Sequence, residues 1–132
     1  MGNSWESERG KNLLFSLVLY PHHIPLIEQF RVSQIVSLAL VQVLIKRGVE
    51  ARIKWPNDIY VGEKKIAGIL IENNLRGNRM EYSIVGVGLN VNQQKFKGDA
   101  PNPVSMLNIL AHKTSITALF SDIRNQLIKI YI

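Results

Sequence analysis

Midway along the chain an alternating apolar run, Ala51-Arg52-Ile53-Lys54, meets Trp55-Pro56-Asn57-Asp58 and has to stop. Proline offers no amide hydrogen and biases the residue before it towards extended backbone, so a strand arriving here must end or leave its sheet. Lys54 is left as the last strand residue, where its ammonium can turn into a cleft at the sheet's edge. Two further segments carry glycine inside strand-like sequence: Gly68-Ile69-Leu70 and Gly86-Val87-Gly88-Leu89-Asn90. Interior glycine weakens a strand and marks either a bulge or the close approach of a ligand or another backbone. A strand-ending lysine and two glycine-bearing strands therefore predict a sheet with one bare region.

The remaining elements follow from periodicity. Leu13 to Tyr20 (LLFSLVLY) is an apolar, β-rich run closed by Pro21 and reads as a buried strand. From Leu26 to Arg47 apolar residues recur every three or four positions, which predicts a long helix capped by Gly48. Ile59 to Val61 and Ile66 to Glu72 form a hairpin about the charged turn 62–65. Asn73 to Arg79 is a second polar turn, and Glu81 to Val91 a second long strand. Residues 93–104 form a loop. Ser105 caps a short helix, and Ser115 caps a last one over Ile116 to Ile130, with Leu119, Phe120, Ile123, Leu127 and Ile128 on its inner side. Repeated βαβ alternation is absent, so the expected class is α+β with a mixed or antiparallel sheet and packing helices, in one domain over 1–132.

Composition narrows the function classes. With 46% hydrophobic and 20% charged residues the chain is globular, not disordered. It has no cysteine, which excludes disulfides and thiolate metal sites. No unbroken apolar run reaches the roughly 18 residues of a membrane span, so no membrane partner and a cytoplasmic setting are expected. Between Lys46 and Lys97 ten Lys or Arg stand against five Asp or Glu, so most of the net charge of +6 surrounds the suspected site. Such a field attracts phosphates or an acidic protein, although an inert basic surface has the same signature. No helix-turn-helix, zinc or RNP-like pattern accompanies it, so nucleic acid is not an expected partner.

The chemistry-bearing residues each admit two readings. Lys54 can bridge a carboxylate and a phosphate oxygen, with Asp58 holding its ammonium and Asn57 bonding the turn; equally it is a solvated edge lysine. Gly86-Val87-Gly88 lacks the third glycine and following helix of a dinucleotide fingerprint. It marks either a ligand floor or a twisted strand, and Asn90 offers donor and acceptor beside it. Trp5 stacks on a base or plugs the core. Ser16, polar within an apolar strand, bonds a ligand or its own backbone. His22, His23 and His112 have no partners suggesting a metal site, and no nucleophile–base pair stands out, which favours chemistry without a covalent enzyme intermediate.

In order and spacing, Trp5, Ser7, Gly10, Asn12 and Leu13, then Lys54-Trp55-Pro56-Asn57-Asp58, then Gly86-x-Gly88-x-Asn90, and finally Val104-Ser105-Met106 resemble the catalytic core of the biotin–protein ligases. The resemblance implies a fold like the catalytic core of class II aminoacyl-tRNA synthetases. It also implies a two-step reaction: biotin and ATP give biotinyl-5'-AMP, and biotin then passes to a lysine of a biotin carboxyl carrier domain. Lys54 would hold the biotin carboxylate and α-phosphate. Ser16, Ile59, Gly68, Gly86 and Gly88 would line the biotin slot, Trp5 would stack on adenine and Asn90 would meet the nucleotide. Asn57 and Asp58 would play supporting roles, and Mg²⁺ would arrive with ATP, with no tightly bound cofactor. The family's Ser-Thr-Asn segment and most of its G-R-G-x-x-G loop have no counterpart here, nor do an N-terminal DNA-binding domain and a C-terminal SH3-like domain; Leu14 stands where some relatives have tyrosine. The expectation is a truncated catalytic domain of reduced activity, and a homodimer is left open. A lipoate–protein ligase on the same fold and a non-catalytic ligand-binding or interaction remnant are the alternatives.

Overall fold

The computed structural model describes residues 9–97 and 102–131. Its elements are β1 (Leu13–Leu19), α1 (Arg31–Lys46), β2 (Arg52–Lys54), β3 (Asp58–Val61), β4 (Lys64–Arg76), β5 (Arg79–Leu89), α2 (Met106–Leu110) and α3 (Ile116–Tyr131), with a 3-10 turn at Leu26–Glu28 before α1. The strands form one sheet in the order β1-β5-β4-β3-β2. Every neighbouring pair is antiparallel, the second of the two forms expected from sequence. The reason is the reach of the crossover. Helix α1 carries the chain from β1 at one edge to β2 at the other; these two strands run in the same direction but never touch. A parallel contact survives only as an isolated bridge between Lys65 and Pro103.

Helix α1 is held by an apolar side, although Leu38 and Ile45 point away from it and are exposed. Val32, Val36, Ala39, Leu40, Val43 and Leu44 are buried against the sheet. By length and composition Leu26–Lys46 is apolar enough to cross a membrane; within the fold, part of this apolarity serves the core. At its C-terminus the Gly48 amide donates to Ile45 O and the Val49 amide to Leu44 O, with Gly48 at φ +89°. This is a left-handed glycine termination that satisfies carbonyls the helix would leave open. Helix α3 packs beside α1 and buries Leu119, Ile123 and Leu127. Ile128, expected on the inner side, is instead half-exposed. Both helices cover the same face of the sheet, opposite Ile59, Ile66, Ala67, Val85, Val87 and Leu89.

The second hairpin is longer than its composition suggests. Residues 73–76, expected in a turn, continue β4, and the turn itself tightens to the residues about Gly77, whose φ is +63°. Cross-strand pairing of Asn73 with Ser83, through a 2.6 Å bond from Ser83 Oγ to Asn73 Oδ1, lets polar residues stay in the ladder. Ser105 caps α2 as expected: its Oγ accepts from the Asn108 amide while the Asn108 side chain accepts from the Ser105 amide. Leu40→Ala, at a fully buried position, is expected to lower unfolding free energy by about 2–5 kcal/mol, against about 1 kcal/mol for Ser105→Ala. Urea denaturation of the two variants beside the parent chain checks this order.

Candidate functional site

With the helices on one face, the other face of the sheet is open at its middle. The register places Lys54, Asp58, Gly68, Gly88 and Leu14 in one transverse row, and Leu70, Gly86 and Ser16 in the next. Directly opposed residues in antiparallel strands share a face, so the three glycines make a floor between walls of longer side chains. The resulting cleft has a volume of about 520 Å³ and is lined by Leu14, Ser16, Asp58, Lys65, Gly68, Leu70, Gly86 and Gly88 among others. That is the size of an ordinary small-molecule site. Leu14 and Leu70 stand exposed on its two sides.

Nothing within the fold requires glycine at position 86. Its φ lies outside the left-handed region, and an added Cβ would sit 3.8 Å from Leu70 O and 3.9 Å from Ser16 Oγ, ordinary contact distances. At Gly86 the bareness of the floor is therefore available to a ligand and is not a demand of packing.

The cation that reaches this floor is Lys65. Its Nζ lies 3.1 Å from Asp58 Oδ1, and both side chains are partly shielded from solvent. A β-bulge produces the arrangement. Ile59 pairs with Ala67, but Tyr60 pairs with Lys65, leaving Ile66 as the extra residue. Ile66 and Ala67 are consequently both fully buried, and the phase of β4 flips. Without the bulge Lys65 would share a face with Ala67 and Ile69 and point into the core; with it, the side chain is turned onto the cleft face. The Lys65 backbone is clamped as well, its amide donating to Asn102 O and its carbonyl accepting from the Val104 amide.

Several assignments made from sequence change. Lys54 lies on the outermost strand, three strand spacings or about 14 Å from Gly88, a gap its four-carbon stem does not span. It does not line the cleft, and its Nζ sits over the Tyr60 ring, 4.5 Å from the centroid. Asp58 holds Lys65 in place of Lys54. Ile59 is fully buried on the helix side, because alternation along β3 puts it opposite to Asp58, and it does not line the slot. Ser16, Gly68, Gly86 and Gly88 are brought together at the cleft. Trp5 lies outside the described residues.

Asn57 and Asn90 act on the frame around the floor. Ser33 of α1 donates through Oγ to Asn57 Oδ1, and Asn57 O accepts from the Ile69 amide, 3.0 Å. The segment after the cis Trp55–Pro56 bond is so tied both to α1 and to the glycine strand. Asn90 is almost wholly buried. Its amide donates to Ile66 O, 2.9 Å, one residue from Lys65, and its Nδ2 donates to Val104 O, 3.0 Å. Its Oδ1 has no hydrogen-bond partner among the described residues. A buried carbonyl oxygen left unpaired costs roughly 1–3 kcal/mol, and a ligand donor or an oxygen-seeking cation would remove that cost.

Comparison with known proteins gives the family of the chain. Residues 1–90 match the biotin/lipoate A/B protein ligase family. The chain belongs to this family. It is 39% identical over 95 residues to the bifunctional ligase/repressor BirA of Bacillus subtilis, an alignment covering 71% of this chain and 29% of that protein. It is 36% identical over 132 residues to the chloroplastic biotin–protein ligase 1 of Arabidopsis thaliana, covering 89% of this chain and 34% of the relative. Among solved structures, the biotin protein ligase of Aquifex aeolicus in complex with biotin and ATP superposes with a TM-score of 0.81 at 25% identity, over 98% of this chain and 53% of that one. The chain thus spans about a third of these curated relatives and about half of the solved structure.

Lys65 is the member of the site that the sequence reading missed. A signal was present in Lys65-Ile66-Ala67-Gly68-Ile69, where two adjacent apolar residues break strict alternation and so announce a bulge. Because position 86 has room for a methyl group, Gly86→Ala is expected to keep the thermal midpoint within a few degrees of the parent. Thermal unfolding followed by circular dichroism checks this; a large loss would mean that packing, not a ligand, dictates the glycine.

Proposed function

We propose that this chain forms the adenylating cleft of an ATP-dependent biotin–protein ligase. The observation that carries the reading is the glycine floor, free of any packing requirement at Gly86 and closed at one end by the Lys65–Asp58 pair. A flat, largely apolar acid can lie on such a floor between Leu14 and Leu70, with Ser16 Oγ as a polar contact. Its carboxylate then points to the Lys65 ammonium, where a phosphate oxygen can share the same charge.

In the proposed reaction a carboxylate oxygen of biotin attacks the α-phosphorus of ATP. The bond from that phosphorus to the bridging oxygen of the β-phosphate breaks, and pyrophosphate leaves with the electron pair. The amine of a lysine on a biotin carboxyl carrier domain next attacks the acyl carbon. AMP departs as the C–O bond breaks, and the amine's proton passes to solvent. Neither step needs a protein nucleophile. Lys65 stabilises negative charge gathering at the α-phosphate, and Asp58 fixes the ammonium in position. Asn90 Oδ1 is the kind of oxygen donor taken by Mg²⁺ entering on the triphosphate, and Trp5 is proposed to stack on adenine. The basic surroundings favour an anionic nucleotide, and the setting is proposed to be cytoplasmic.

Lys65→Ala is expected to lower biotin-dependent pyrophosphate exchange by about 10²-fold or more, the scale for losing one positioned electrostatic contact. Lys54→Ala should stay within about fivefold of the parent, as for an exposed charge. Equal effects of the two substitutions would overturn the assignment of Lys65. Isothermal titration with biotin and with lipoate tests the substrate: biotin should bind the tighter of the two, and Gly86→Val, which fills the floor, should abolish its binding. Tighter lipoate binding, or biotin binding untouched by Gly86→Val, would overturn the biotin reading.

A further inference from the structure

Beyond Leu89 the chain leaves the sheet, because the ladder with β1 ends at the Leu13–Leu89 pair. The residues before Leu13 come out of a turn at Gly10, φ +77°, and offer no regular strand to pair with. Residues 90–93 are nevertheless held, and a side chain takes over where the β1 backbone stops. Asn12 Oδ1 accepts from the Val91 amide at 2.8 Å, and the Asn92 amide donates to Lys11 O at 2.7 Å. The nitrogen of the same carboxamide is also engaged, Asn12 Nδ2 donating to Gln93 Oε1 at 2.7 Å. Gln93 is wholly buried, and its Nε2 donates in turn to Lys95 O at 3.0 Å.

We infer that Asn12, braced by Gln93, is a positioning residue for the nucleotide end of the cleft, acting through Asn90. Three hydrogen bonds fix the two peptide groups that flank Asn90. Its amide donates to Ile66 O, its carbonyl accepts from the Met106 amide at 3.1 Å, and the Val91 amide donates to Asn12 Oδ1. Two of these acceptors and donors are backbone; Asn12 supplies the side chain, and so the contact that a substitution can remove. With the backbone fixed, the bond from Asn90 Nδ2 to Val104 O sets the rotamer and leaves Asn90 Oδ1 as the buried oxygen without a partner among the described residues. The inference rests on the reading of this cleft as an adenylating site, in which that oxygen meets the nucleotide or the cation it carries.

Two features separate this role from a general contribution to the fold. The floor at Gly68, Gly86 and Gly88 is held by the strand ladders and shares no hydrogen bond with Asn12. Loss of Asn12 therefore reaches the nucleotide and spares the acid lying on the floor. A neighbouring amide supplies the contrast. Asn92 Oδ1 accepts from the Thr114 amide at 2.9 Å, and Asn92 Nδ2 donates to Thr114 O at 2.9 Å. This pair ties the same segment to the connection before α3, with as many side-chain bonds as Asn12 makes to Val91 and Gln93. It bonds neither of the peptide groups that flank Asn90.

Calorimetric titration of the chain and its variants with Mg²⁺–ATP and with biotin tests this, beside amide hydrogen exchange. Asn12→Leu is expected to weaken ATP binding, and to raise KM for ATP in pyrophosphate exchange, by about tenfold or more, the scale for losing a group that orients a ligand-binding one. Its biotin affinity should stay within about twofold of the parent, as for a site that shares no partners with it. The Asn90 and Val91 amides should exchange faster in this variant. Asn92→Leu should lower the thermal midpoint to a similar extent yet keep ATP affinity within about twofold. Gln93→Leu removes only the brace and should fall between the two; if Asn12→Leu does not fold, the comparison of Gln93→Leu with Asn92→Leu decides. Equal losses of ATP affinity in the Asn12 or Gln93 variant and in Asn92→Leu would reduce the amide pair to a structural role and overturn the inference, as would unchanged ATP affinity in Asn12→Leu. A parent chain that binds biotin but no ATP would overturn it while leaving the biotin floor standing; one that binds neither would overturn the adenylating reading as well.

Discussion

Burial of α1 and α3 against a single face of the sheet is the constraint from which the rest follows. Once Val36, Leu40 and Leu44 are sealed against Ile59, Ala67 and Val87, the parity of every strand is decided. Val85, Val87 and Leu89 must face the helices, so Gly86 and Gly88 face away. Ile59 must face the helices, so Asp58 faces away. A slip of one residue in any strand would expose a hydrophobic set and bury a polar one. The cleft is thus the complement of the core, and its composition is as tightly determined as the packing opposite.

The bulge at Ile66 is the breach of that parity that lies beside the cleft. Strict alternation would send the Lys65 side chain into the apolar layer, where an ammonium has a high desolvation cost. One extra residue turns it to the open face instead and brings it to Asp58. Around it the chain is unusually well fastened: the 102–104 segment bonds the Lys65 backbone and Asn90 bonds Ile66 O. Clamping of this kind holds a charged group in position before any ligand arrives, so that little reorganisation is left to be done when an anion enters.

Much of this was legible in the residues. Strand β1, helix α1, the hairpin after Pro56 and the caps at Ser105 and Ser115 all follow from local pattern, because apolar period and cap chemistry are properties of neighbouring residues. The glycines that form the floor were identified for the same reason. What could not be read was the third dimension of the sheet. The pattern suits Lys54 to a strand end but does not say that β2 is an outer strand, three places from Gly88. Asn73 to Arg76 looks like a turn until the pairing of Asn73 with Ser83 is known. Ile128 carries a helix-face signature although α3 lies at the margin of the core, where that residue stays half-exposed among the described residues. The order of motifs, by contrast, was enough to indicate the biotin/lipoate A/B protein ligase family, since each motif is common and their succession is not.

The length of the β4–β5 hairpin has a consequence of its own. Nine residues separate Gly68 from Gly77 along β4, which at strand rise puts the turn roughly 30 Å from the cleft floor. Sites so far apart that share no partners respond independently to substitution. The exposed, glycine-centred turn at 77–78 is also the kind of loop that tolerates insertion. The hairpin tip is therefore a place to attach a fluorophore or a short epitope, from which the tumbling of the molecule can be followed while the cleft remains untouched.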